Sequence, residues 1–349
     1  MKRRVGVFCV VFLLAICISI PGYAAEPIKF GLIHSLSGGI GQFFGVPDLE
    51  AAKLAVAEIN KAGGIMGRPL ELIARDDKLN PAVGVREAKD LILNQKVQWV
   101  QGTVSSAVAL AVSAYCKEAK VPFMITTAQS ADITRLHKHR YVFRTMAHSG
   151  VTTGGAAVAA AKKWGGKKVY FIGPDYEFGH VAKANFMNAY SKLVPGAKYV
   201  GELWPKLGNL DWTPYITSIM SADADFVYSP LWGGDVIAFT KAAIPFKFFE
   251  RVKVCGQEWG LVEVLSQMDK ETYPKGVLGG GYYPFWLLDN PKSNEYWRKF
   301  HEVSGGLNAG ISTSAYVTVY AMKKAIEKAN AVDMEKVIDA LEGIELDTV

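Results

Sequence analysis

The sequence predicts an α/β protein of two Rossmann-like lobes, each built on a parallel sheet, joined by a multi-stranded hinge. Three observations predict it. Short β-rich runs alternate with helix-patterned stretches from Ile28 onward, an order that implies parallel strands with helices on both faces. The alternation breaks at the polar, glycine-containing stretch Ala147 to Gly155 and then restarts. A chain of 349 residues also exceeds the size at which a single core keeps growing.

The first 24 residues stand outside that pattern. Lys2, Arg3 and Arg4 precede an apolar run from Val5 to Ile20, and Pro21-Gly22-Tyr23-Ala24 offers the small residues a signal peptidase reads. The run falls short of the roughly 20 residues that span a bilayer. A cleaved signal peptide over 1–24, with export to the periplasm, is therefore the expectation. Isoleucine before Cys17 does not suit lipidation. Cleavage would remove three basic residues and no acidic one, turning a formal charge of +6 into +3, too mild for a nucleic-acid partner. Cys9 and Cys17 would leave too, and Cys116 and Cys255, in different halves of the chain, read as buried free thiols.

Lobe 1 is expected over 25–148. Its strands read as Ile28 to His34, Leu70 to Ala74, Gln98 to Gly102 and Phe123 to Thr126. Its helices read as Leu49 to Asn60, Val83 to Asn94 and Ala107 to Ala119. Gly63-Gly64 is the stop signal of the first helix. Lobe 2 is expected over 149–280, with a helix at Ala156 to Trp164 and strands at Lys168 to Ile172, Tyr199 to Leu203, Asp225 to Ser229 and Lys253 to Gly256. After Gly279-Gly280-Gly281 come only helical patterns, Asn294 to Val303, Ser314 to Asn330 and Met334 to Leu341. Helices without strands of their own must pack on an existing sheet, so 281–349 is expected to return to lobe 1.

Enzymatic signatures are missing: there is no G-x-S-x-G elbow, P-loop or H-E-x-x-H pair. Gly39-Ile40-Gly41-Gln42-Phe43-Phe44 approaches a dinucleotide loop, but a phenylalanine stands where close helix packing needs glycine. His137 and His139 lie in a basic loop without other ligands, and Asp76-Asp77 suits a turn before Asn80-Pro81 better than a metal site. No catalytic residue, cofactor or metal is expected. What remains are strand ends rich in hydroxyls, Thr103-Val104-Ser105-Ser106 and Thr126-Thr127-Ala128-Gln129-Ser130. Ligands of open α/β sheets sit at such ends, where helix N-termini attract a carboxylate; the same serines equally suit plain helix caps.

At this point the chain resembles the type I periplasmic binding proteins of branched-chain and hydrophobic amino-acid importers, including the leucine/isoleucine/valine-binding protein. The resemblance runs from about Ile28 to the end. It rests on Ser37-Gly38-Gly39-Ile40-Gly41-Gln42, on Ala57-Glu58-Ile59-Asn60-Lys61-Ala62-Gly63-Gly64-Ile65-Met66-Gly67, and on Asp76-Asp77, Ser105-Ser106 and Pro122-Phe123-Met124-Ile125-Thr126. Tyr141-Val142-Phe143-Arg144-Thr145 and Asp225-Phe226-Val227-Tyr228 extend it. It implies that an amino acid's carboxylate is held at Ser105, Ala128 and Ser130 and its ammonium at Glu258. Phe178 stands where relatives often carry tyrosine, Trp232 where a pocket tyrosine is expected, and Phe44 near another aromatic position.

Leu79 and Val104 replace a disulfide of the leucine/isoleucine/valine-binding protein, and the resemblance implies closing strands beyond Val349. The function implied is solute capture for an ABC importer, with a small-molecule ligand, permease subunits in the membrane as partners, and hinges near Ala147 to Gly150 and Gly279 to Tyr283. An amide, urea or aromatic carboxylate is the alternative ligand, and a sensor module acting on a partner protein the alternative role.

Overall fold

The computed structural model describes residues 25–282, 290–307 and 310–349. The signal-peptide expectation, and Tyr283 of the second hinge segment, fall outside them. Among the described residues, ten strands form two sheets of five, with the strand pairings between them parallel. The first sheet contains β1 (Ile28–His34), β2 (Leu70–Asp76), β3 (Trp99–Gly102), β4 (Phe123–Ile125) and β5 (Val142–Arg144), in the order β2-β1-β3-β4-β5. The second contains β6 (Lys168–Ile172), β7 (Lys198–Leu203), β8 (Phe226–Tyr228), β9 (Val254–Gly256) and β10 (Leu278–Gly279), in the order β10-β9-β8-β6-β7. The predicted α/β class with two parallel sheets is what the chain adopts.

Parallel strands are buried on both faces, and the two-residue alternation of side chains splits each lobe's core in two. In the first lobe Phe30, Leu32 and Trp99 face helix Val46–Lys61, while Ile33, Val100 and Phe123 face helices Pro81–Leu93 and Ser106–Ala119. In the second, Val169 and Phe171 pack against helices Ser149–Lys163 and Glu177–Leu193. Tyr170 and Ile172 pack against Thr213–Ser221 and Gly234–Ala243.

Three late helices complete the first lobe. Val319, Met322 and Ile326 of Thr313–Ala329, with Val337 and Leu341 of Met334–Leu341, cover the Phe30 face. Tyr296 and Phe300 of Pro291–Val303 pack on Ala51, Leu54 and Ala315.

The boundaries of the expected elements move by at most three residues, with one larger departure. The stretch Ala147 to Gly155, read as a break, holds the first seven residues of helix Ser149–Lys163. His148 caps it, its Nδ1 accepting from Gly150 N at 3.0 Å. Thr153, Ala157 and Ala160 give that helix a buried face, which outweighs the glycines. Asp76 and Asp77 hold turns as expected: Asp76 accepts from Leu36 N and Lys78 N, Asp77 from Ser35 Oγ and Leu79 N. Cys116 and Cys255 are buried and unpaired.

Candidate functional site

The carboxyl ends of the two sheets face one another across a cleft, as the strand-end rule requires of a parallel sheet. Its walls come from segments far apart in the chain. Phe44 arrives on the π-helical turn Gly41–Gly45, which leads into helix Val46–Lys61. A side chain at Gly45 would meet Ser35 O at 1.9 Å, so only glycine lets this turn lie against β1. Thr127 and Gln129 follow β4, and Ser106 opens the helix after β3. The second lobe supplies Tyr176 and Phe178 after β6, Trp232 after β8 and Glu258 after β9. Ile311 comes from the returning segment.

These residues line a narrow cavity of about 20 Å³. Four rings form its aromatic wall, with centroids 5.5 Å apart for Phe44 and Trp232, 6.5 Å for Tyr176 and Trp232, and 6.1 Å for Tyr176 and Phe178. Among the described residues lining it, Glu258 is the single carboxylate, and none is Lys, Arg or His.

Glu258 is 1% exposed. Its Oε1 accepts from Gln129 Nε2 of the first lobe at 2.9 Å and from the Tyr282 hydroxyl. Burial pushes its carboxyl up to about 7, because the hydrogen bonds only partly replace lost hydration. Glu263, also buried, is pushed up to about 7 by the same cause; its Oε1 accepts from Ile311 N at 3.1 Å and so holds a cavity wall in place.

The expected carboxylate holders are placed differently. Ser105 is the N-cap of helix Ser106–Ala119, its Oγ accepting from Val108 N at 3.4 Å, and it is Ser106 that lines the cavity. Ser130 donates its hydroxyl to Glu177 of the second lobe, while its N–H bonds Ser106 Oγ at 3.1 Å. The carbonyls of Ala128 and Ser130 accept from Arg144 at 2.6 and 2.9 Å. Burial lowers the Arg144 guanidinium to about 10, still protonated at neutral pH. Phe44, Phe178, Trp232 and Glu258 meet in the cavity; Ser105, Ala128 and Ser130 form the layer behind it.

Deeper in the first lobe lies a fully buried polar unit. Thr126 and Thr127 donate to Asp48 Oδ2 at 2.8 and 2.9 Å, and His34 Nε2 lies 3.3 Å from the same oxygen. Burial would lower the His34 pKa, but its hydrogen bond to Asp48 and the nearby charges of Asp48 and Asp77 leave it raised. Sequence reasoning named the segments holding Ser106, Thr127 and Gln129 without selecting those side chains. It gave no signal for Ile311.

No helix among the described residues is long and apolar enough to cross a membrane. A family model described as periplasmic binding protein matches residues 27–349. A Leu/Ile/Val-binding protein homolog of Brucella abortus is 26% identical over 69% of this chain, the match spanning 58% of that protein's own length. The leucine-, isoleucine-, valine-, threonine- and alanine-binding protein of Pseudomonas aeruginosa is 25% identical over 93% of this chain and 84% of its own. The crystal structure of an ABC-transporter solute-binding protein from R. palustris, in complex with 4-hydroxybenzoate, is 27% identical. It covers 90% of this chain and 84% of its own, with a TM-score of 0.78. With two parallel five-stranded lobes and a family match from Pro27 to Val349, the chain belongs to the periplasmic binding proteins, in the type I, leucine/isoleucine/valine-binding group.

Proposed function

We propose that this protein is the exported solute-binding component of an ABC importer and that its ligand is a hydrophobic amino acid held between the lobes. The observation that carries the ligand is Glu258: a carboxylate buried at the cleft, beside four rings and without a basic side chain lining the cavity. An unpaired carboxylate enclosed this way costs several kcal/mol, and a ligand ammonium removes that cost. The rings accept an apolar side chain, each buried methylene contributing roughly 0.8 kcal/mol. The relative from P. aeruginosa, named for leucine, isoleucine, valine, threonine and alanine, supports this choice.

The working cycle is hinge closure. Ligand enters the first lobe, the second swings over it about Ala147 to Gly150 and Gly279 to Tyr283, and the closed form docks on permease subunits. Binding, with no chemical step, completes the role.

An aromatic carboxylate is the second reading. Glu258 already has donors in Gln129 and Tyr282, and a carboxyl near 7 tolerates a ligand without a cation when protonated. The R. palustris protein bound to 4-hydroxybenzoate supports it. A thermal-shift screen of the mature protein against amino acids, amides and aromatic carboxylates separates the two, since ligand at a hundred times its Kd stabilises by about 2.7 kcal/mol. Glu258→Gln should abolish most of the response to an amino acid and spare a neutral-tailed acid. An amino-acid response that survives this substitution would count against the ammonium assignment.

A further inference from the structure

We propose that the end of the second lobe farthest from the cleft, where β6, β7 and β9 begin, is a docking face for the anionic headgroups of a phospholipid bilayer, which it meets with the cleft turned away from the surface. The inference takes from the proposed function only that the protein works beside a membrane, and it holds whatever the cleft binds.

In a parallel sheet every strand starts at the same edge, and the helices between strands end there. The helices of this lobe finish on Lys162, Lys163 and Lys192, and its strands are entered through Lys167, Lys198 and Lys253. Lys247 and Arg251 stand just before β9. All eight are exposed, and none has a carboxylate within ion-pair distance among the described residues. The strand entries form one row: Lys198 N donates to Lys167 O at 2.9 Å, Asp225 N to Lys168 O at 2.7 Å and Val227 N to Lys253 O at 2.8 Å. Two acidic residues in that row are already engaged. Asp223 pairs with Lys168, and Asp225 Oδ2 accepts from Lys168 N at 2.8 Å. Glu250, exposed beside Arg251, offsets one of the cations.

A helix C-terminus favours a cation, which accounts for Lys162, Lys163 and Lys192. It does not account for Lys167, Lys198 and Lys253, which enter strands. Unpaired cations in a row repel one another, and an anionic surface relieves that repulsion. The carboxyl ends of the same sheet carry the opposite sign, with Asp175 and Glu177 after β6, Asp235 after β8, and Glu258 and Glu263 after β9. The lobe is thus electrically polar, and an anionic surface draws its far end while repelling its cleft end.

Apolar side chains stand among these cations. Leu193, beside Lys192, is 50% exposed, and Ile244 and Phe246, just before Lys247, are 37% and 38% exposed. Lysines interleaved with apolar groups suit a bilayer interface, where the apolar groups enter the headgroup layer and the ammonium groups stay among the phosphates. A folded protein partner suits this face less, because interfaces between proteins are poor in lysine and are built around rigid anchors.

Co-sedimentation of the mature protein with lipid vesicles tests the face. Phosphatidylcholine vesicles containing about a third phosphatidylglycerol should bind it at least about tenfold more strongly than pure phosphatidylcholine, with the gap narrowing as salt rises. Since one lysine near an anionic surface contributes about fivefold in partition, Lys163→Glu, Lys167→Glu and Lys198→Glu together should remove most of that preference. The same reversal at Lys61, Lys117 and Lys138, exposed on the first lobe, changes the net charge equally and should leave partition within about threefold of wild type. Phe246→Ser leaves the charge alone and should weaken anionic-vesicle binding by about threefold or more, which keeps the test open if the triple variant folds poorly. Equal losses in the two triple variants, equal binding to both kinds of vesicle, or no binding to anionic vesicles at low salt would overturn the docking face. Ligand binding is read separately by thermal shift without vesicles, so each of these failures leaves the proposed function standing.

Discussion

Glu258 and Glu263 are both pushed up to about 7 by burial, from an ordinary value of 4.5, and this gives the fold a pH dependence with a definite sign. Between about 4.5 and 7 the folded chain holds protons on these carboxyls that the unfolded chain has released. Their contribution to stability is therefore complete below about 4.5 and is lost as pH rises through 7. His34, with its pKa raised above 6.5, acts in the same direction over its own, higher window. The melting temperature of ligand-free protein should be higher at pH 5.5 than at pH 8, and Glu258→Gln should flatten part of that difference. A wild-type melting temperature that is level or climbing over this range would contradict the assignment. Residue by residue, Phe44, Phe178 and Trp232 were legible only through the resemblance, and all three line the cavity. The polar side chains that line the cavity neighbour the residues the resemblance implied, Ser106 next to Ser105, Thr127 and Gln129 on either side of Ala128. In an irregular loop the direction of each Cβ is set by local backbone turns, and no two- or 3.6-residue period reports it.

At the scale of elements, the turn Gly41–Gly45 and the helix it opens act as one support. The helix begins with Pro at its second position and Asp48 in its first turn, both favourable there, and the turn delivers Phe44 to the cavity one element before Asp48 reaches Thr127. Gly45→Ala puts a methyl 1.9 Å from Ser35 O and should cost more than about 2 kcal/mol in urea unfolding, with the loss of ligand binding following the loss of fold. At the other end of the first lobe, Asp333 caps Met334–Leu341 through Glu335 N and Lys336 N. Asp333→Ala should cost about 1 kcal/mol and leave ligand affinity unchanged. Helix Ser149–Lys163 shows where sequence signals fail. Gly154 and Gly155 read as a break, yet a Cβ at either would meet nothing within 4 Å, so the glycines sit on the open side while the opposite face is buried.

Across the whole molecule, two adjacent residues of the first lobe reach over to two carboxylates of the second: Gln129 to Glu258 and Ser130 to Glu177. These bonds join the two lobes across the cleft. Glu177→Ala should therefore give a larger radius of gyration by small-angle scattering for the ligand-free protein, with the ligand-bound value moving less. An unchanged ligand-free value would show that the Ser130 bond does not hold closure. The βα alternation made the class and both sheets legible, since parallel pairing follows from local order. The approach of the lobes depends on a few long-range polar contacts, which leave no periodic trace. The late helices carry one more consequence. Ile28, Phe30 and Leu32 of the first strand are covered only in part by helix Val46–Lys61 until Val319, Met322 and Ile326 arrive to complete that face. A chain emerging from its N-terminus can finish the second lobe while the first still shows an oily sheet, so its cleft gains both walls only in the last stage of folding, and that unfinished sheet is the surface on which early aggregation would begin.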